Sequence, residues 1–140
     1  MLKAQPKDKP ILHEKRKMSI LHKNTPSMST TITDDYMRQM MTTTKPYTVV
    51  ILTKGPNFNR PDAMSIIWEH GRKNFQLRAE GLLSVVLPIR GEGDKAGVGI
   101  FNADIEQTTK LMEADPAIKE GILNFEVHAT RSFPGDSLPV

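Results

Sequence analysis

Cysteine is absent from the 140 residues. That excludes disulfides, thiolate nucleophiles and cysteine-ligated zinc or iron–sulfur centres, and it fits a reducing cytoplasm. Long apolar runs are also missing. No stretch reaches the roughly 18 residues of a membrane-spanning helix, and no apolar segment follows the N-terminal charges as it would in a secretory signal. Phosphate and metal motifs are equally lacking. Gly91-Glu-Gly93 and Gly97-Val-Gly99 sit in a hairpin and do not open a helix after a strand. His13, His22, His70 and His128 show no metal-binding spacing on one element. The expectation is a cytoplasmic protein with no membrane partner, no metal and no cofactor.

The length fits one small domain, of a size that often gains stability from a partner. The formal charge of +3 invites a nucleic-acid reading, but its location argues against one. Residues 1–27 hold seven Lys and Arg against two acids, a balance of +5, which leaves −2 for the remainder. A mildly acidic domain lacks the footprint that phosphate-backbone binding needs. Residues 1–32 are rich in Lys, Pro, Ser and Thr and show little periodicity, so they are expected to be a mostly disordered basic tail. Met18 and Met28 are each a candidate alternative start within it.

The domain proper is expected over residues 33–140. Thr33-Asp34-Asp35 is an N-cap with an acidic first turn, opening a short extra helix to about Thr43 that Pro46 stops. Tyr47 to Lys54 is a β-branched strand ended by Gly55-Pro56. Asp62 caps a helix running to about Glu80, closed by Gly81. Leu82–Ile89 and Ala96–Ala103 are strands joined by a tight loop. A second helix opens at Asp104 or Ile105 and is interrupted at Asp115-Pro116, and Gly121 closes its last turn. Ile122–Arg131 is the fourth strand. The order βαββαβ predicts an α+β, ferredoxin-like domain: a four-stranded antiparallel sheet with two helices on one face.

Both faces of that sheet carry apolar residues. Val49 and Ile51 oppose Val50 and Leu52, and Val98 and Ile100 oppose Phe101. Two helices cover one face only. A large apolar surface left over marks an interface, and a homodimer joined sheet to sheet would cover it. The alternative is that the helix over 33–43 folds back across that face.

His70 falls at spacings of three and four with Ile66, Ile67, Asn74 and Leu77, beside the stripe that faces the sheet. A histidine there needs a partner, because an unpaired buried polar group is costly. A backbone carbonyl would suffice. Asp115 before Pro116 is a common capping arrangement. With both helices on one face, however, the two side chains can meet. A carboxylate beside an imidazole fixes its tautomer for acid–base work.

The chain resembles the YCII-related family over roughly residues 36–139. The matching segments are Lys45-Pro-Tyr-Thr-Val-Val-Ile-Leu-Thr-Lys-Gly-Pro-Asn57, Glu69-His70, Leu77, Gly81-Leu82, Gly97-Val-Gly-Ile-Phe101, Ala114-Asp-Pro-Ala-Ile-Lys-Glu-Gly121, Phe125-Glu-Val127 and a closing Pro134-Gly-Asp-Ser-Leu-Pro139. The specificity lies in their ordered set. The resemblance implies a dimeric α/β barrel whose family-typical His and Asp, matching His70 and Asp115, form the active site. Many relatives have no assigned reaction, and at least one removes HCl from a chlorinated hydroquinone. The chain departs from the pattern at Leu87-Pro88-Ile89, where relatives often carry Gly-Pro.

Further candidates come from position alone. Asn57 follows the first strand, where its loop would line a pocket, and Arg90 in the hairpin would attract an anion; both are substrate-binding candidates. Asn59 reads as a turn residue. Glu126 and His128 share a strand face, at an interface or a polar edge. Trp68 and Phe75, at i and i+7, are expected to pack. The functional expectation is a small-molecule enzyme using His70 and Asp115 for elimination or isomerisation of a small cyclic or aromatic substrate. The alternatives are a non-catalytic ligand-binding or sensory module and a cofactor-independent monooxygenase of the same fold.

Overall fold

The computed structural model describes residues 29–140. The tail expectation and the histidines His13 and His22 therefore lie outside the described residues, except that 29–32 carry no regular structure and are exposed. The chain divides into two units, 1–37 and 38–140. In the first, the Tyr36 N–H donates to Thr33 Oγ1 at 3.1 Å, the expected cap of α1 (Asp34–Met41). In the second, α1 ends where the Thr42, Thr43 and Thr44 hydroxyls donate to the carbonyls of Gln39, Met40 and Met41. Those bonds satisfy the last helical acceptors two residues earlier than the Pro46 argument placed the stop.

The strands β1 (Lys45–Lys54), β2 (Leu83–Pro88), β3 (Lys95–Phe101) and β4 (Leu123–Ser132) form one antiparallel sheet in the order β2-β3-β1-β4. The helix α2 (Ala63–Ala79) joins β1 to β2, and α3 (Ile105–Glu113) with the single turn α4 (Pro116–Lys119) joins β3 to β4. This is the ferredoxin-like arrangement. β1 begins two residues before Tyr47. Pro46 is tolerated there because only β4 pairs alongside it, opposite Arg131, while pairing with β3 starts at Thr48.

Strand alternation sorts the faces. Val50, Leu52, Leu83, Phe101 and Leu123 point inward and are buried with Leu77 of α2 and Met112 of α3. Each such side chain stabilises the fold by about 1.5–3 kcal/mol. Val49, Ile51, Val98 and Ile100 point to the other face and are half-buried.

Helix ends follow the punctuation in the sequence. After α2, Gly81 (φ 76°) and Leu82 donate to the Arg78 and Leu77 carbonyls, and after α4, Gly121 (φ 68°) and Ile122 donate to those of Ile118 and Ala117. Both are Schellman closures, which favour glycine at the left-handed position. Asp104 caps α3 through the Gln107 N–H at 2.7 Å. Asp62 is a correction. It stands at the N-cap of α2, but its carboxylate takes both bonds of a bidentate pair from Arg60 at 2.7 Å and caps nothing. That hydrogen-bonded guanidinium holds the Asp62 carboxyl below its usual range. The stability involved is present above the ordinary carboxylate range, is lost as pH falls through the lowered value, and is small because the pair is exposed.

The loop after β1 is bolted to the turn after α4. The Gly55 and Asn57 N–H groups donate to the Ile122 and Gly121 carbonyls at 2.8 and 2.9 Å, and Asn57 Nδ2 donates to the Glu120 carbonyl at 2.9 Å. A Cβ on Gly55 would fall inside contact distance of the Gly121 carbonyl oxygen. Backbone on both sides leaves little room to give. Gly55→Ala should therefore destabilise the domain by about 1–3 kcal/mol or more in urea unfolding. An unchanged midpoint would show the two loops to be separable.

Candidate functional site

His70 lies in the middle of α2 and Asp115 at the N-cap of α4; they are 8 % and 2 % exposed. His70 Nδ1 and Asp115 Oδ2 are 2.7 Å apart. The second oxygen, Oδ1, accepts the Ala117 N–H at 2.9 Å. The sequence left two readings of Asp115 open, a helix cap or a histidine partner. One carboxylate does both, with one oxygen for each task.

The bonds assign the proton. A carboxylate only accepts, so the neutral imidazole carries its hydrogen on Nδ1 and keeps a lone pair on Nε2. Asn74 is one helical turn on, and its Nδ2 lies 3.2 Å from Nε2, where the amide donates to that lone pair. Asn74 was visible in the sequence only as a member of the α2 stripe. Its i+4 spacing from His70 was the available signal.

Beside this group lies a cavity of about 760 Å³ between α2 and the inner face of the sheet. His70 and Asn74 line it, and Asp115 does not. Asp115 is thus a buried backing for a histidine that lines the space. The cavity has room because two successive inward positions of β3 carry no side chain. Gly97 and Gly99 are the inward positions opposite Leu52 and Val50, and both line the space. A Cβ at Gly99 would press on the Phe101 ring and Leu83 at 3.2 and 3.3 Å. In the sequence these glycines read as hairpin and strand residues within a family-matching segment, with no role in a cavity. Their alternation with Phe101 on one face was the usable clue.

The remaining candidates fall elsewhere. Asn57 binds the Glu120 carbonyl and does not line the cavity, and neither does Arg90, which is exposed in the hairpin. Glu126 and His128 pair with each other at 3.1 Å on the outer face of β4. Asn59 is exposed and does not line the cavity. Trp68 and Phe75 are a correction: they are 72 % and 73 % exposed rather than packed. At about 100° per residue, the core stripe of α2 runs through Ala63, His70 and Leu77, and Trp68 points away from it. Phe75, seven residues on and so about 20° round from Trp68, points the same way, and with Met64 it lines the cavity.

Among solved structures, the chain is similar to the 5-chloro-2-hydroxyhydroquinone dehydrochlorinase of Burkholderia phenoliruptrix AC1100 in complex with 2,5-dihydroxybenzoquinone. The likeness has 18 % identity and a TM-score of 0.44 and covers 59 % of this chain and 90 % of that one. No family model and no curated protein matches.

The two tasks of Asp115 can be separated by substitution. Asp115→Ala orphans His70 Nδ1–H and the Ala117 N–H, each at a cost of about 1–3 kcal/mol. Asp115→Asn should cost less, because its amide oxygen can still accept from Ala117. Its NH₂ then faces Nδ1 as a donor and forces the ring proton to Nε2. The ¹⁵N spectrum of the neutral His70 ring should show the proton on Nδ1 in the wild-type chain and on Nε2 in Asp115→Asn. The same tautomer in both would refute the assignment.

Proposed function

We propose that this chain is a YCII-like small-molecule enzyme in which His70, oriented by Asp115, moves a proton on a small cyclic or aromatic substrate held between α2 and the sheet. The observation that carries this is the 2.7 Å contact between His70 Nδ1 and a buried carboxylate, in a histidine that itself lines a cavity. Nε2 takes the proton, and the Asp115 carboxylate stabilises the imidazolium that results. The same nitrogen returns it to a different atom in an isomerisation, or a leaving group departs in an elimination. Neither outcome needs a redox cofactor. The apolar walls raise the value of each charge interaction by thinning the water around it.

The protein acts in the cytoplasm as a homodimer. Val49, Ile51, Val98 and Ile100 form a contiguous apolar area on the outer face of paired strands, and a second copy joined by a two-fold axis covers it. Ile100→Glu should convert the dimer to a monomer in light scattering behind size exclusion, because a charge buried at the centre of such an interface is costly. A monomeric wild-type chain would rule the arrangement out.

Proton transfer itself is read by exchange. Cyclic ketones and hydroxyquinones are incubated with the protein in D₂O, and deuterium entry at carbon is followed by NMR. His70→Ala should lower enzyme-promoted exchange by about 10²–10⁴-fold with the fold intact by circular dichroism. A compound that binds in the cavity without exchanging, in wild type and variant alike, would point instead to a ligand-binding module.

A further inference from the structure

The polar side chains that line the cavity are Lys54, His70, Asn74 and Arg78, and none of its lining residues is Asp or Glu. The rest of the wall is aliphatic, aromatic or glycine. This inventory runs against the charge of its surroundings, since residues 28–140 carry a net −2. Acids are plentiful on this domain and are kept off this one surface.

Among the described residues, no acid neutralises either cation. Lys54 Nζ donates to the Gly91 carbonyl at 3.2 Å and stands 5.2 Å from the centre of the Phe58 ring, contacts that position the ammonium and leave its charge intact. Among the described residues, no acid pairs with Arg78. The other described arginines of this helical layer have partners: Arg60 holds Asp62 and Glu120, and Arg72 holds Glu69. Between the two cations lies an apolar space floored by Gly97 and Gly99, large enough for a ring system.

We infer that the ligand of this cavity is an organic anion: an apolar ring bearing a carboxylate, its ring against the glycine floor and its charge answered by the cation at one end of the cavity, Lys54 or Arg78. The inference rests on the proposed reading of the same site and deepens it by naming the substrate class. The chemistry is compatible. Removal of a proton by His70 places negative charge on the substrate, and fixed cations at the edge of a low-dielectric space stabilise both the standing and the developing charge.

The test uses the full-length chain and two isosteric fluorescent probes, 2-naphthoate and the neutral 2-naphthamide, titrated at low salt. The expected result is naphthoate binding about tenfold or more tighter than naphthamide, the ratio shrinking as salt is raised from about 20 to about 200 mM. In Lys54→Gln/Arg78→Gln the ratio should fall to about threefold or less, with naphthamide affinity unchanged. In His70→Ala the preference should persist while proton exchange disappears, so the two ideas fail separately. An intact preference with undiminished exchange in that variant would sink the catalytic reading alone. Equal binding of the two probes, a preference that survives removal of both cations, or no binding of either probe would each overturn the anion assignment.

Discussion

The Asp115 carboxylate is the constraint on which the arrangement turns. Its two oxygens bind partners that belong to different parts of the chain: the Ala117 N–H at the start of α4 and the His70 ring in the middle of α2. Pro116 at the first position of α4 removes an N–H that would otherwise need an acceptor and fixes the approach of the chain. The turn that follows closes on Gly121, whose carbonyl receives the loop after β1. Arg60 from that same loop reaches Glu120 at 3.1 Å. The end of β1, α4 and α2 are thus locked through a small set of backbone and carboxylate bonds. The position of Asp115 Oδ2 follows from the lock, and the tautomer of His70 follows from Oδ2.

A second constraint is the emptiness of β3. Two inward-facing glycines in a strand forgo the packing that Val or Ile would supply and raise the entropy lost on folding. A core missing side-chain volume is less stable than a filled one. The domain tolerates this because the other half of the inner face is dense. Thr48, Thr108, Ala117 and Ile122, none of which lines the cavity, are all at most 1 % exposed. Stability is therefore concentrated where β1 and β4 meet α3 and α4, and space is concentrated where β2 and β3 lie under α2. His70 stands at the border, one nitrogen bonded to Asp115 and the other to Asn74 of the cavity wall.

Much of this was legible from local pattern. Strand periods, helix-closing Gly81 and Gly121 and the caps Thr33 and Asp104 are short-range signals, and each appears in the fold as an element end within about two residues of its expected place. The His70–Asp115 contact was reachable because the topology sets the two helices on one face of the sheet. What escaped depended on competition between partners. Asp62 had the right position to cap α2, but a guanidinium two residues back offered two charge-assisted bonds against one. Asn57 had the right loop for a ligand, but the Glu120 carbonyl was nearer. Trp68 and Phe75 share a helical flank, and nothing in a seven-residue spacing says which flank meets the core.

The polar equipment of the cavity then has a consistent logic. In the resting site Asn74 donates to His70 Nε2, so both ring nitrogens are satisfied and the imidazole costs nothing as a partly buried polar group. A neutral apolar molecule entering the space would gain only contact area and would leave that bond undisturbed. A molecule that brought a proton to Nε2 would have to displace the amide, and the freed Asn74 Nδ2 would then be a donor facing that molecule one helical turn from His70.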